Sequence, residues 1–586
     1  MPTCPSADPN ATSAVASARA ATWRALAAAA FVLLLALRVV YAFSLVVNSD
    51  EPQHLHVAWE WWQGRLPYRD VFDNHAPAFG FLYAPLLAAL GERADIVPLM
   101  RLGVLPWYAL TLWLCYRIGS ALFERRIALA ATAIAALDPT FFLKSVEFRP
   151  DVPWAAACLL AVVIAVAPEP VRWRWAKVGL ASGFALALSI KTALFLVAGG
   201  TAGAVLLVPQ WRASPRAALR TWLTGGAAWL AGFAAIPAFI AICFAAAGAA
   251  DALAYCLFDH NLANDVGRWS HSSLPYRWLL PLLLVPPLIH AAELVRRHGA
   301  ERRVAALRAW MFLTAAGYLV LRDGYQAFID RQDLLPWVPM VSPLVVAAAD
   351  RLIRHAARPP WRALAPRVLF GAAIAVEAGL VTALHPPWRN EAAHYAQTLA
   401  NVLRFARPGD FVLDAKGNAI FRERPTYWDF ENITLYRFAR GVIREDVAGE
   451  LARCRIAVVV GESWPSGLAH FLGRNYLPAG ASTFVAGMRL DAMPAAGETS
   501  FSIAIPQRYA LHALDGPFVG ELDGSAYAGP RELGAGTHRL AAAQAGPIVL
   551  EWAGGEASAA CTLPDFATAR AGLRAGPERA AEAGIP

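Results

Sequence analysis

One pattern constrains this chain more than any other: long apolar runs are separated by loops, and every second loop is dense in arginine. Runs of about 20 apolar residues match the hydrocarbon thickness of a bilayer, and only helices or closed barrels satisfy their backbone there. The first run spans about Ala25 to Val47, after Arg19 and Arg24, and is too long for a signal-peptide core. Others centre near Leu105, Ala133, Leu160, Ala185, Leu206, Ala235, Leu283, Leu313, Val341 and Ala375. About eleven crossings are expected. Composition agrees, with 57% hydrophobic and 16% charged residues, the latter against about 25% in soluble domains. A cytosolic enzyme, a disordered scaffold and a collagen-like fibre are excluded. The net charge of +8 sits in short clusters between apolar runs, which is an orientation signal and not a nucleic-acid stripe. Seven scattered cysteines without a C-x-x-C give no disulfide framework and no zinc knuckle.

The arginines set the orientation. Arg125 and Arg126, Arg172 to Lys177, Arg212 to Arg220, Arg296 to Arg303 and Arg351 to Arg367 mark cytoplasmic loops. The opposite loops, near 48–95, 142–152, 248–277 and 322–333, carry the acids, so chemistry is expected on the outer face. Residues 176–208 have basic loops at both ends and must cross twice, which leaves Lys191 at the outer turn. Residues 1–24 read as a cytoplasmic tail and 25–385 as the membrane domain. After about Leu384 short β-rich runs begin. An extracytoplasmic α/β unit is expected over 386–497, and a β-sandwich-like region with a loose tail over 498–586.

The outer loops hold the informative residues. Asp50 and Glu51 follow the first helix, and Pro52 to Gln63 reads as a helix lying in the interface. Trp59, Trp61 and Trp62 fit an interfacial aromatic belt. Tyr68 to Pro77 adds Arg69, Asp70, Asp73 and His75, and the next outer loop holds Lys144, Glu147, Arg149 and Asp151. A divalent metal would draw on Asp50, Glu51, His54 and His56, but on a helix His56 points away from the other three. No cofactor is assigned.

These motifs resemble the GT-C superfamily of polytopic glycosyltransferases, in particular the branch similar to bacterial protein O-mannosyltransferases and the aminoarabinose transferase of lipid A. The matching positions are Asp50 and Glu51; Gly64, Pro67, Tyr68 and Asp70 with Pro77 and Tyr83; and Asp151. The resemblance covers about 25–385. His75-Ala76-Pro77 stands where many relatives have Lys-Pro-Pro, which leaves that lysine's role unassigned. The resemblance implies a mostly α membrane protein, a GT-C-type bundle with a C-terminal α/β plus β-sandwich region, in a bacterial inner membrane. It implies transfer of a hexose or pentose from a polyprenyl-phosphate donor, with inversion, to a protein, lipid or polysaccharide acceptor.

Such a reaction needs a carboxylate base at the water interface, for which Asp50 is the first candidate, Asp151 the alternative or helper, and Glu51 its neighbour. It also needs cations against the leaving phosphate, and Arg149, Lys191 and Arg331 lie near outer helix ends. Tyr68, Asp70 and His75 complete the expected substrate-binding set. Plainer roles stay open: acids favourable near a helix N-terminus, an Arg149–Asp151 structural pair, and Arg331 as a snorkelling anchor. The alternative function is a polytopic transporter or flippase of lipid-linked or small polar substrates. That reading calls for polar residues deep in mid-helix and for internal repeats. The acids here lie at helix ends, and no repeat is visible. A non-catalytic anchor displaying the tail leaves the acidic outer loops unexplained.

Overall fold

The computed structural model describes residues 9–168, 173–261, 299–325, 330–359, 361–461, 464–493, 497–513, 516–543, 545–559 and 561–573. The apolar runs fall on helices: α1 (Pro9–Ser44), α5 (Leu105–Leu122), α6 (Arg125–Leu137), α8 (Asp151–Val166), α9 (Arg174–Leu188), α10 (Thr192–Ala213) and α11 (Pro215–Ala246), then Gly299–Tyr325, Trp337–Ala356 and Ala365–Leu384. The run near Leu283 lies outside the described residues. Among the described residues, four stretches are long and apolar enough to cross a membrane, Ile96–Leu122, Pro215–Ala246, Glu301–Asp323 and Trp361–Leu384; Ala28–Ser44, Ala78–Leu90, Asp151–Val166 and Thr192–Val208 are shorter apolar helices. This is a membrane protein, and its helix lengths do not establish the expected eleven crossings. The run 176–208 divides into α9 and α10, with Lys191 at the turn between them.

Buried arginines tie the helix ends. In α7 (Pro139–Lys144), Asp138 caps the N-terminus by accepting from Phe141 N at 2.8 Å. The last carbonyls of so short a helix lack internal donors. Arg38 of α1 supplies them, donating to the carbonyls of Phe142 and Ser145 and to Ser145 Oγ. This accounts for an arginine inside an apolar helix.

Small residues bring α9 and α11 together. A Cβ at Gly179 would lie 2.0 Å from the Trp229 carbonyl oxygen, one at Gly183 2.3 Å from that of Phe233, and one at Gly232 2.0 Å from that of Ala176. Backbone approach this close is how membrane helices gain packing without a hydrophobic drive between them. Gly179→Val is therefore expected to destabilise the protein by about 1–3 kcal/mol or more. Gly226→Val on α11, where a Cβ meets nothing within 4 Å, should leave the thermal unfolding midpoint in detergent unchanged. Equal midpoints for the two variants would contradict this packing.

The C-terminal region holds two sheets. β1 (Leu413–Asp414), β2 (Val458–Val460), β4 (Thr483–Met493), β12 (Gly546–Trp552), β6 (Gln507–Ala513) and β10 (Arg531–Leu533) lie side by side in that order, with β3 (Tyr476–Gly480) on β4 and β7 (Gly516–Pro517) on β6. The second sheet runs β5 (Gly497–Ile503), β11 (Gly536–Ala542), β8 (Gly520–Leu522), β9 (Ser525–Ala526). β1 and β2 are parallel, as α/β crossovers require, and the other pairs are antiparallel. The chain passes between the two sheets repeatedly after β4, since β5, β8, β9 and β11 belong to the second sheet and β6, β7, β10 and β12 to the first. β4 pairs with β2 and β12 alike, so the stretches 386–497 and 498–586 share one continuous sheet. Contrary to the reading of the cysteines, Cys454 and Cys561 form a disulfide across 107 residues of sequence.

This C-terminal unit sits on α2 (Asp50–Trp62). Gln53 Nε2 donates to Asp429 at 2.7 Å, His56 Nδ1 meets the Ile420 carbonyl at 2.9 Å, and Arg65 pairs with Glu423. His260 Nε2 lies 2.8 Å from Glu431, and Arg422 donates to Glu92 at 2.8 Å. Gly417 brings its backbone against that of α2, where a Cβ would stand 2.8 Å from Gln53 Cα and the backbone holds φ +72. The expected interfacial helix is thus a covered one: Gln53, His56 and Glu60, which membrane lipid could not satisfy, face protein partners. Burial, and then the neighbouring Glu423, push the Glu60 carboxyl well above the ordinary glutamate range. The folded state therefore keeps a proton that the unfolded chain loses first, and stability falls as pH rises above that range. Glu60→Gln should flatten the decline. A wild-type unfolding midpoint that rises from pH 5 to 8 would contradict the retained proton.

Candidate active site

The site begins with a clamp. Arg101 of α4 (Ile96–Gly103) uses all five of its N–H donors: Nε and one Nη hydrogen go to Glu51 at 2.7 and 2.6 Å, and the others to the carbonyls of Ala42 (3.1 Å), Leu45 (2.8 Å) and Val46 (2.9 Å). The end of α1 and the start of α2 are thereby fixed to each other. Glu51 also accepts from Asn48 N at 2.9 Å and Phe148 N at 2.7 Å. Four donors saturate its carboxylate, which is wholly buried. Glu51 holds the site's frame and has no free lone pair for proton transfer.

Asp50, one residue away, is turned to the other side of the helix and heads a chain of alternating charges. Its carboxylate lies between Arg149 and Lys416. Arg149 Nε continues to Asp151 at 3.0 Å, Lys191 lies 4.0 Å from Asp151 and 2.5 Å from Asp333, and Arg322 meets Asp333 at 3.3 Å. Six segments converge here: the α1–α2 junction, the N-terminus of α8, the α9–α10 turn, the end of the helix Gly299–Tyr325, the 3-10 helix Arg331–Leu334, and the loop after β1 that carries Lys416. Asn48 Oδ1 accepts from both Asp50 N (3.0 Å) and Arg149 (3.1 Å), which fixes their relation. Burial alone would raise the Asp50 carboxyl, but the Arg149 guanidinium and Lys416 ammonium outweigh it and hold that carboxyl well below its usual range.

The Tyr68–Pro77 segment lines the neighbouring wall. Tyr68 takes the left-handed conformation (φ 70), is fully buried, and donates from its hydroxyl to the His75 carbonyl at 2.7 Å. Asp70 is held by Arg69 and by Leu66 N at 2.8 Å, so it shapes the turn and does not reach the charge chain. His75 Nδ1 lies 2.9 Å from Asp73, and its ring meets that of His54 at 4.4 Å between centroids. Burial, then His75 and Arg149, hold His54 far below the usual histidine range, so it is neutral.

Asp50, Asp151, Arg149 and Lys191 thus come together. Arg331 does not join them: it is exposed on its 3-10 helix and takes part in none of the ion pairs among the described residues. Its neighbour Asp333 occupies the site instead, together with Arg322. Lys416 was missed altogether, because it comes from the C-terminal unit. The conceivable metal set is not assembled. Glu51 is saturated by Arg101 and its other donors, and His56 faces Ile420. Among the described residues the one cluster with metal-ligand spacing is Glu450, Cys454 and Cys561, whose two sulfurs are joined.

Neither a protein-family model nor a curated protein sequence matches the chain. Solved structures do. ArnT from Cupriavidus metallidurans bound to undecaprenyl phosphate superposes with a TM-score of 0.52 at 13% identity, over 78% of this chain and 97% of that one. Its apo state gives 0.52 at 14% identity, over 80% and 98%. The chain has the GT-C fold. The oligosaccharyltransferase AglB from Archaeoglobus fulgidus, in complex with an inhibitory peptide and a dolichol-phosphate, is more distant at 0.43 and 11% identity, over 76% of this chain and 68% of that one. At such identities the GT-C likeness is one of architecture, and the chemistry must be argued from the side chains.

Proposed function

We propose that the protein is a membrane glycosyltransferase that moves a sugar from a polyprenyl-phosphate donor to an acceptor at the extracytoplasmic face, with inversion. The observation that carries this reading is the chain of charges from Asp50 to Asp333 at one end of a GT-C bundle: two carboxylates flank the Arg149 guanidinium, and Lys191 stands beside the second. Undecaprenyl phosphate in the ArnT structure supports the donor class. The Cys454–Cys561 disulfide suits an oxidising compartment and supports placing the C-terminal unit outside the cytoplasm.

In the reaction the acceptor hydroxyl or amine attacks the anomeric carbon as its proton passes to the Asp50 carboxylate. The bond from that carbon to the phosphate oxygen breaks, its electron pair stays on oxygen, and polyprenyl phosphate departs. Arg149 and Lys191 stabilise the charge that grows on the phosphate. Asp151 holds both cations in place and is the second candidate for the base. His75 lies beside Asp50, Tyr68 holds the His75 carbonyl from behind, Asp70 shapes the turn before them, and Arg331 stays outside the site.

The test is reconstitution of the purified protein in lipid nanodiscs with a panel of polyprenyl-phosphate hexoses and pentoses. One donor should be consumed, with release of polyprenyl phosphate and a glycosylated acceptor. Movement of an intact lipid-linked sugar across the bilayer without cleavage would favour the flippase alternative.

A further inference from the structure

Lys416 is the one member of the charge chain that the membrane bundle does not supply, and its loop is built for that position. Asp414 accepts from Gly417 N at 2.6 Å and Ala419 N at 3.0 Å, while Ala415 is tied to Val460 and Phe430 through the backbone. Gly417 then seats the loop directly on the backbone of α2. An ammonium has three donors, and Asp50 takes one of them. The Lys416 side chain is 18% exposed and the Asp50 side chain 16%, so this pair, unlike Arg101–Glu51, borders open space.

The charges also balance in an informative way. Lys416, Arg149, Lys191 and Arg322 stand against Asp50, Asp151 and Asp333. Glu147, 3.9 Å from Arg149, is matched by Lys144 at 2.8 Å. Glu431, which also faces Lys416, is taken up by His260, so within the chain of ion pairs itself one positive charge is left over, the sign that the single negative charge of a phosphodiester requires. After transfer the proton sits on Asp50, which leaves two positive charges for a phosphate monoester that carries up to two negative ones.

We propose that Lys416 is a donor-phosphate ligand, a cation lent by the C-terminal unit that leaves Asp50 for the phosphate oxygens when the polyprenyl-phosphate donor binds. The inference rests on the glycosyltransferase reading above. Release of Asp50 from Lys416 frees its carboxylate to accept the acceptor's proton, so the base becomes competent only with donor in place. The C-terminal unit is then part of the active site.

The experiment measures binding of undecaprenyl phosphate to the full chain in nanodiscs, with neutral undecaprenol as control. Lys416→Met should weaken undecaprenyl phosphate binding about 10- to 100-fold, the loss typical of a charge-assisted contact, and Lys416→Arg should restore most of it. Undecaprenol binding should not change. In the wild type, bound undecaprenyl phosphate should also shield Lys416 from an amine-reactive label read by mass spectrometry, a readout that needs no variant to fold. Unchanged affinity in Lys416→Met, or labelling of Lys416 indifferent to the lipid, would leave Lys416 as a docking residue only and the glycosyltransferase reading intact. Failure of the wild type to bind undecaprenyl phosphate at all would remove the donor class itself, and this proposal with it.

Discussion

Asp50→Asn is expected to lower sugar transfer by about 10²- to 10⁴-fold, the range for loss of a general base, while the protein remains inserted and folded. The substitution keeps size and a hydrogen-bonding oxygen but removes the group that takes the proton. Stability should change little: Arg149 keeps Asp151 and Asn48, and Lys416 reaches open space. The check is the transfer rate with a cleaved donor, measured beside the thermal unfolding midpoint. More than a third of the normal rate would exclude Asp50 as the base. Asp151→Asn then discriminates: if it alone abolishes transfer, the base is Asp151.

Glu51→Ala should behave in the opposite way, although it neighbours Asp50 in sequence. Both Glu51 and Arg101 have fully buried side chains, and removal of one partner leaves an uncompensated charge in the interior at a cost of about 3–5 kcal/mol. The α1–α2 junction would lose its clamp, so folding yield and thermal midpoint fall together, and activity falls because the frame of Asp50 is lost. Unfolding of detergent-solubilised protein reads this directly. A Glu51→Ala protein as stable as wild type but inactive would contradict the structural role and return Glu51 to the chemistry.

The contrast between these neighbours shows what the sequence alone conveyed. The apolar helices and the end of the bundle that carries the acids were legible, because apolar runs and charge clusters are local signals, although the first helix begins at Pro9 and not at the Ala25 where its apolar run starts. So was the convergence of Asp50, Arg149, Asp151 and Lys191, each placed at a helix end or turn. The division of labour within Asp50-Glu51 was not legible, since it depends on which way each side chain turns and on Arg101, whose site lies 50 residues away. Lys416 reaches Asp50 across 366 residues, and no periodicity marks a lysine in a polar turn as part of a membrane site. Arg331 illustrates the reverse error. It has the right charge at the right depth, yet the 3-10 helix turns Asp333 inward and leaves Arg331 outside. The covered face of α2 escaped detection for the same reason: its aromatic and polar mixture suits an interface with lipid as well as one with protein.

The central claim, a glycosyltransferase that consumes a polyprenyl-phosphate sugar, is tested most directly in the lipids of cells. Mass spectrometry of polyprenyl-phosphate species in membranes bearing the wild-type chain or its Asp50→Asn variant should show one lipid-linked sugar that accumulates in the variant and is depleted by the wild type. Identical polyprenyl-phosphate profiles in the two, with both proteins present at equal levels in the membrane, would contradict the account.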